Sequence, residues 1–271
     1  MDRPWLAFGL VAALSLPAMS QADSGENIAA GSQNKSTFRW VSNFDELRVL
    51  PGFTLTSPSG LVPSEGVIFG SVAGVTDLPG DGGTDGAASV GAGFGNAQEG
   101  IGGAVTLGIG SIDPRDGSSF ERGTLSVSIG SFNSDKLSGL SIGAQGIPLW
   151  DGGDDMPDPS YYAALTQLFP NDTAPLVLTM GIGTNGYRFL RSQTDDPDQK
   201  AGAFVALAAY VAPQLSVIGD YTSGIASLGV SLVPLPDLPV TIQLSAWDVA
   251  TYVDDHDNPS FRGSVAYVYQ Y

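Results

Sequence analysis

Residues 101–110 read IGGAVTLGIG. Taken by twos, Ile101, Gly103, Val105, Leu107 and Ile109 fall on one side, and Gly102, Ala104, Thr106, Gly108 and Gly110 on the other. Side chains of a β-strand alternate between faces, so a period of two marks a strand with one greasy face and one small, polar face. A helix would group its apolar residues three and four apart instead. The fold turns on what the second face meets.

The pattern recurs along the chain. Leu125, Val127 and Ile129 alternate with Thr124, Ser126, Ser128 and Gly130. Leu176, Leu178, Met180 and Ile182 alternate with Val177, Thr179, Gly181 and Gly183, and Val240, Ile242, Leu244 and Ala246 with Thr241, Gln243 and Ser245. A soluble sandwich alternates too, but its outer face carries Lys, Glu and Arg. Here charged residues are only 14% of the chain, and no Lys or Arg occurs between Ala201 and Phe261. A water-facing sheet of Gly and Ser without charge would be poorly soluble and open to edge pairing. A closed barrel removes the conflict: the apolar face meets lipid and the small polar face lines the interior.

Strand signals cover 66–75, 87–95, 101–110, 123–132, 137–146, 176–183, 202–211, 215–222, 225–233, 240–248 and 263–271. SYYAALTQLF (160–169) reads either way: Ala, Leu and Gln favour helix, whereas the paired Tyr and the length favour strand. The connections argue for a strand. With 160–169 counted, long links (77–86, 111–121, 151–159, 184–201, 249–259) alternate with short ones (96–99, 133–136, 170–174, 212–214, 234–239). Only the two-residue link Ser223–Gly224 departs from the alternation. The expected fold is all-β: a single antiparallel transmembrane β-barrel of about 12 strands over 65–271, with long acidic external loops and short periplasmic turns.

The start of the chain fits a secretory signal peptide over 1–22, with Arg3, an apolar run at 5–16 and small residues before a cleavage point after Ala22. That run is too short for a transmembrane helix, which needs about 20 residues. Residues 23–64 are either a periplasmic tail or a plug folded into the lumen, and Phe53 and Leu55 could also begin a further strand. Cysteine is absent, so no disulfide holds the fold. The net charge of −17 speaks against nucleic acid and anionic membrane surfaces as partners. Glycine, 36 of 271 residues, lacks the three-residue period of collagen, and 42% hydrophobic residues argue against disorder.

The last residues, SVAYVYQY (264–271), place Val265, Tyr267, Tyr269 and Tyr271 on one face. This alternation resembles the C-terminal signal of Gram-negative outer-membrane proteins, which ends more often in Phe. The resemblance implies recognition by the barrel-assembly machinery, lipid on the outer face and an outer-membrane location. A narrower one joins TSPSGLVPSEGVIFGS (56–71) and APQLSVIGDYTSGIASLGVSL (212–232). These are similar to segments of small barrels of the exopolysaccharide-associated YbjH group, which would imply a role near polysaccharide export.

Residues with chemistry are few. His256, the only histidine, lies between Asp255 and Asp257. It is either half of an Asp–His pair activating water or part of a solvated acidic loop, and no second motif accompanies it. Asp77, Asp81 and Asp85 could face a calcium ion, but their spacing does not fit an EF-hand loop. Gly91-x-Gly93 lacks the following helix that nucleotide binding requires. In the expected register Arg122, Asp220 and Arg262 point inward near the outer rim, as a constriction at the mouth or as a structural brace. The leading expectation is a non-enzymatic barrel without cofactor or metal, a narrow channel or an envelope-structural protein, its solute or polysaccharide open. The alternatives are a secreted soluble β protein with acidic, calcium-binding loops, and a barrel hydrolase using His256.

Overall fold

The computed structural model describes residues 47–76, 84–112, 119–151, 158–171, 173–189, 200–251 and 259–271. Their strands are β1 (Val67–Thr76), β2 (Asp85–Gly95), β3 (Gly102–Ile112), β4 (Ser119–Asn133), β5 (Ser138–Asp151), β6 (Ser160–Phe169), β7 (Leu176–Thr184), β8 (Ala201–Ala212), β9 (Leu215–Thr222), β10 (Ile225–Leu232), β11 (Val240–Trp247) and β12 (Ser260–Gln270). Each pairs antiparallel with its neighbours in sequence, and β12 pairs with β1, so the sheet closes on itself without an edge. Val67 faces Gln270 and Thr76 faces Phe261 across that closing seam. Residues 160–169 are a strand over their whole length, bridging β5 and β7. Among the described residues no helix is long and apolar enough to cross a membrane.

The two-residue link between β9 and β10 is a tight turn. Ser223 has φ +58° and Gly224 φ +85°, positive at both positions as a type I′ hairpin requires. The two strands then run in unbroken register from Thr222–Ile225 to Leu215–Leu232.

The two faces differ sharply. Val72, Val90, Leu107, Ile142, Ile182, Leu207, Leu228 and Leu244 are all large, apolar and exposed on the outside. Asp85, Arg122, Asp220 and Arg262 share the inward parity of the small polar residues. Outward aromatics gather at both rims. Phe94, Phe169, Tyr267, Tyr269 and Tyr271 lie at the short-turn end, and Trp150, Tyr161, Tyr221 and Phe261 at the long-loop end. An apolar band between two aromatic girdles is the surface that suits a bilayer.

Phe53 and Leu55 begin no strand. Residues 47–64 carry no strand or helix of their own and are almost continuously buried, against inward-facing side chains of the wall. Prolines at 51, 58 and 63, which remove backbone donors, explain why this stretch joins no ladder.

Candidate functional site

The site is the lumen and the chain within it. Residues 47–64 enter and leave at the short-turn end, making one rising arm, an apex and one descending arm. The rising arm starts where the Arg48 N–H donates to the Pro236 carbonyl at 3.2 Å, at the turn between β10 and β11. The Tyr210 hydroxyl donates to the Pro51 carbonyl at 2.9 Å. Gly52 donates its N–H to Ser231 Oγ at 2.7 Å and accepts the Ser216 hydroxyl at its carbonyl. Gln243 Nε2 donates to the Thr54 carbonyl at 2.9 Å.

At the apex one carboxylate gathers the chain. Asp220 Oδ2 accepts the successive N–H groups of Leu55, Thr56 and Ser57 at 2.9, 3.0 and 3.0 Å. Its Oδ1 accepts the Thr56 and Ser57 hydroxyls, both at 2.9 Å. Thr222 Oγ1 stands 2.8 Å from Oδ1 and 2.7 Å from Ser57 Oγ, with one proton for two acceptors. Three successive N–H groups converging on one anion form a backbone nest. Each bond to a charged group is worth about 1.5–3 kcal/mol, set against a desolvation cost of several kcal/mol for a carboxylate that is 4% exposed.

Beyond Pro58 the chain descends along β5 and β6. The Ser141 hydroxyl donates to the Ser59 carbonyl at 2.6 Å, and the Gly60 N–H to Thr166 Oγ1 at 2.8 Å. Thr166 in turn bonds Thr179 across β6 and β7 at 2.8 Å. Glu65 ties to the Gly95 carbonyl at 2.7 Å just before β1 begins.

Around this loop the short-turn half of the lumen is apolar. Leu47, Val49, Leu50, Phe53, Leu55 and Leu61 of the segment form one cluster with wall side chains from around the ring, among them Val67, Phe69, Phe132, Leu168, Val177, Ile218 and Val268. The barrel is therefore filled at that end. The half nearer the long loops is different. On its β5–β8 side Tyr162, Phe204 and Tyr187, from the 3₁₀ turn Asn185–Tyr187, pack together. The Tyr187 ring lies 5.3 Å from Phe204, and its hydroxyl donates to Gln145. Burial, reinforced by Tyr162 and Asp220 nearby, pushes the Tyr187 phenol well above its ordinary value. On the side from β11 through β4, part-exposed inward positions carry small hydroxyls (Ser71, Ser89, Thr106, Ser126, Ser128 and Ser264), beside a small buried apolar cluster of Val75 and Ala87.

Arg122, Asp220 and Arg262 all take inward positions, but they do not form one group. Asp220 is enclosed by the apex of the inserted chain. Arg262, on β12, lies with its guanidinium 4.7 Å above the Trp247 ring and within electrostatic reach of Asp220. Arg122, on β4, stands part-exposed opposite Gly110. Val265, Tyr267, Tyr269 and Tyr271 face outward, with Tyr269 and Tyr271 stacked at 6.4 Å. Asp85 Oδ1 accepts the Gly86 N–H at 2.7 Å, while Asp77, Asp81 and His256 lie outside the described residues. Among the described residues no cluster of His, Cys, Asp or Glu has the arrangement of a metal site. The wall residues that grip the inserted chain (Ser141, Thr166, Tyr210, Ser216, Ser231 and Gln243) could not be singled out beforehand. Their only sequence signal is the polar face that every strand shares.

No known family profile and no curated protein matches the chain, so the narrower likeness to YbjH-group barrels gains no support. Among solved structures the chain is similar to outer membrane phospholipase A from Escherichia coli, with 11% identity over 76% of this chain and 92% of that one, at a TM-score of 0.44. It is equally similar to an outer membrane channel from Pseudomonas putida F1, with 11% identity over 76% of this chain and 96% of that one, at a TM-score of 0.44. The closed strand pairing, not either likeness, establishes the barrel.

Proposed function

We propose that this protein is an outer-membrane β-barrel that acts as a narrow channel, held shut at rest by its own residues 47–64. The apolar band and its two aromatic girdles, a surface that suits lipid better than water, support the membrane location. The single observation that carries the channel reading is the wall behind the inserted chain. Ser141, Thr166, Ser216, Asp220, Ser231 and Gln243 stand there, satisfying backbone groups of a segment that has no ladder of its own. Those same side chains would hydrate a pore once the segment had moved.

The apolar cluster supports a second reading, a sealed envelope-structural barrel. Burying Leu50, Phe53, Leu55 and Leu61 contributes about 1.5–3 kcal/mol each, so spontaneous opening would be rare. Swelling of lipid vesicles in neutral sugars separates the two. Vesicles holding the full-length protein should barely swell, and those holding a variant without residues 47–60 should swell readily. A variant that inserts, runs compact on an unheated gel and admits no sugar would leave the structural reading. The hydroxyl-rich lining suits a small neutral or sugar-like solute, and the same assay with charged and neutral sugars ranks them. A role in exopolysaccharide export rests only on the short sequence likenesses at 56–71 and 212–232.

A further inference from the structure

The two arms of residues 47–64 are held in different ways. The descending arm meets the wall backbone to backbone. A Cβ on Gly60 would lie 2.4 Å from the Gly139 carbonyl oxygen and 2.5 Å from the Thr166 nitrogen, and one on Gly93 would lie 2.1 Å from the Ser64 carbonyl oxygen. Real Cβ atoms do not come so close, so bare glycine lets the two backbones interlock. Conversely, a Cβ on Gly139 would lie 2.7 Å from the Gly60 carbonyl oxygen. The descending arm also runs straight into β1, and Glu65 is tied to Gly95.

The rising arm has no such interlock. A Cβ on Gly52 would meet only side chains, Gln243 Nε2 at 3.0 Å and Ser231 Oγ at 3.3 Å, and one on Gly229 of β10 would meet the arm only at the end of the Leu55 side chain, at 2.9 Å. Apart from the Arg48 N–H on the Pro236 carbonyl at its foot, its links along the wall are made by wall side chains, which water can replace. At its upper end a single carboxylate, Asp220, takes five donors from Leu55, Thr56 and Ser57. Both arms leave at the short-turn end, so among the described residues nothing stands between the rising arm and that end.

We propose that Asp220 is a latch, and that residues 47–57 are a displaceable arm hinged at Pro58 while residues 59–65 stay fixed to the wall. The inference deepens the closed-channel reading above and rests on it. It also locates the opening: the arm leaves the β8–β11 side, where Tyr210, Ser216, Asp220, Ser231 and Gln243 would line the pathway. The apolar side chains of the arm keep the latched position dominant, so its release is a rare event to be read by kinetics.

The chain has no cysteine, which permits single reporters in the full-length protein. Val49→Cys reports on the rising arm and Leu61→Cys on the descending arm; both parent side chains are buried. Each is reacted with a polar maleimide, with Asp220 intact and with Asp220→Asn. Weakening even one charge-assisted bond should speed labelling at position 49 at least about tenfold, with less than about a threefold change at position 61. Should Asp220→Asn fail to fold, Thr56→Ala with Ser57→Ala removes two of the donors and leaves the carboxylate in place. Equal acceleration at both positions would mean that the segment moves as one body, and no acceleration at 49 would mean that Asp220 does not hold it; either overturns the proposal. Labelling reads the arm's position whether or not ions pass. The latch can therefore fail with the channel intact, and the channel can fail with the latch intact.

Discussion

Gly60→Ala and Gly52→Ala add the same methyl group to the two arms of one segment, and they should have unequal consequences. At Gly60 the new carbon would sit 2.4 Å from the Gly139 oxygen, 2.5 Å from the Thr166 nitrogen and 2.9 Å from the Leu165 carbonyl carbon. All three are backbone atoms of paired strands β5 and β6. Relief needs a shift of the arm by nearly an ångström, or distortion of the ladder, at the upper end of the about 1–3 kcal/mol that overpacking costs. The shift would also stretch the 2.8 Å bond from the Gly60 N–H to Thr166 Oγ1. A total near 3 kcal/mol is about a hundredfold in an equilibrium constant. At Gly52 the neighbours are the ends of Gln243 and Ser231, which can turn aside, so the loss should be about 1 kcal/mol or less. Reversible urea unfolding in lipid vesicles, followed by tryptophan fluorescence and by the compact-to-extended gel shift, measures both. Equal midpoints for the two variants would refute the backbone interlock on which the fixed arm depends.

Other perturbations probe the wall and the filling. Leu228→Arg puts a charge on an outward position 58% exposed at mid-strand, and should cost about 2–4 kcal/mol of folding free energy in a bilayer; a change within about 0.5 kcal/mol, as on a water-facing surface, would count against the lipid assignment. Tyr210→Phe removes the donor to the Pro51 carbonyl and leaves the ring in place, so the urea midpoint should drop by the equivalent of about 1–2 kcal/mol. Tyr187 keeps its proton in the folded barrel at pH values where the unfolded chain loses it. Its contribution is present below the ordinary tyrosine value and is lost as pH rises beyond it. Between about pH 9 and about pH 11 the protein should therefore lose stability faster than Tyr187→Phe; parallel losses would show that this phenol is not the cause.

The wall was legible in the sequence because a barrel strand has two unlike solvents. The period-two split at 101–110, repeated along the chain, carries both the strand and its direction, and the tight Ser223–Gly224 turn needed only its two residues. Residues 160–169 show the limit of propensity: Ala, Leu and Gln lean toward helix, yet pairing with β5 and β7 on both sides overrides a preference of a few tenths of a kcal/mol per residue. The inserted chain was less legible. PGFTLTSPSG (51–60) has no period to read, because its partners come from β5, β6 and β8–β11, and each contact is set by the closed geometry of the ring. Asp220 stood out as an inward charge, but its role depends on residues 163 to 165 positions earlier, and no local pattern reports that.

Single-channel recording of the full-length protein beside the variant lacking residues 47–60 tests the central claim most directly. The full-length protein should show long silence with at most rare, brief openings, and the shortened one a steady conductance. Steady conductance from the full-length barrel, or silence from a shortened barrel that has folded, would contradict it.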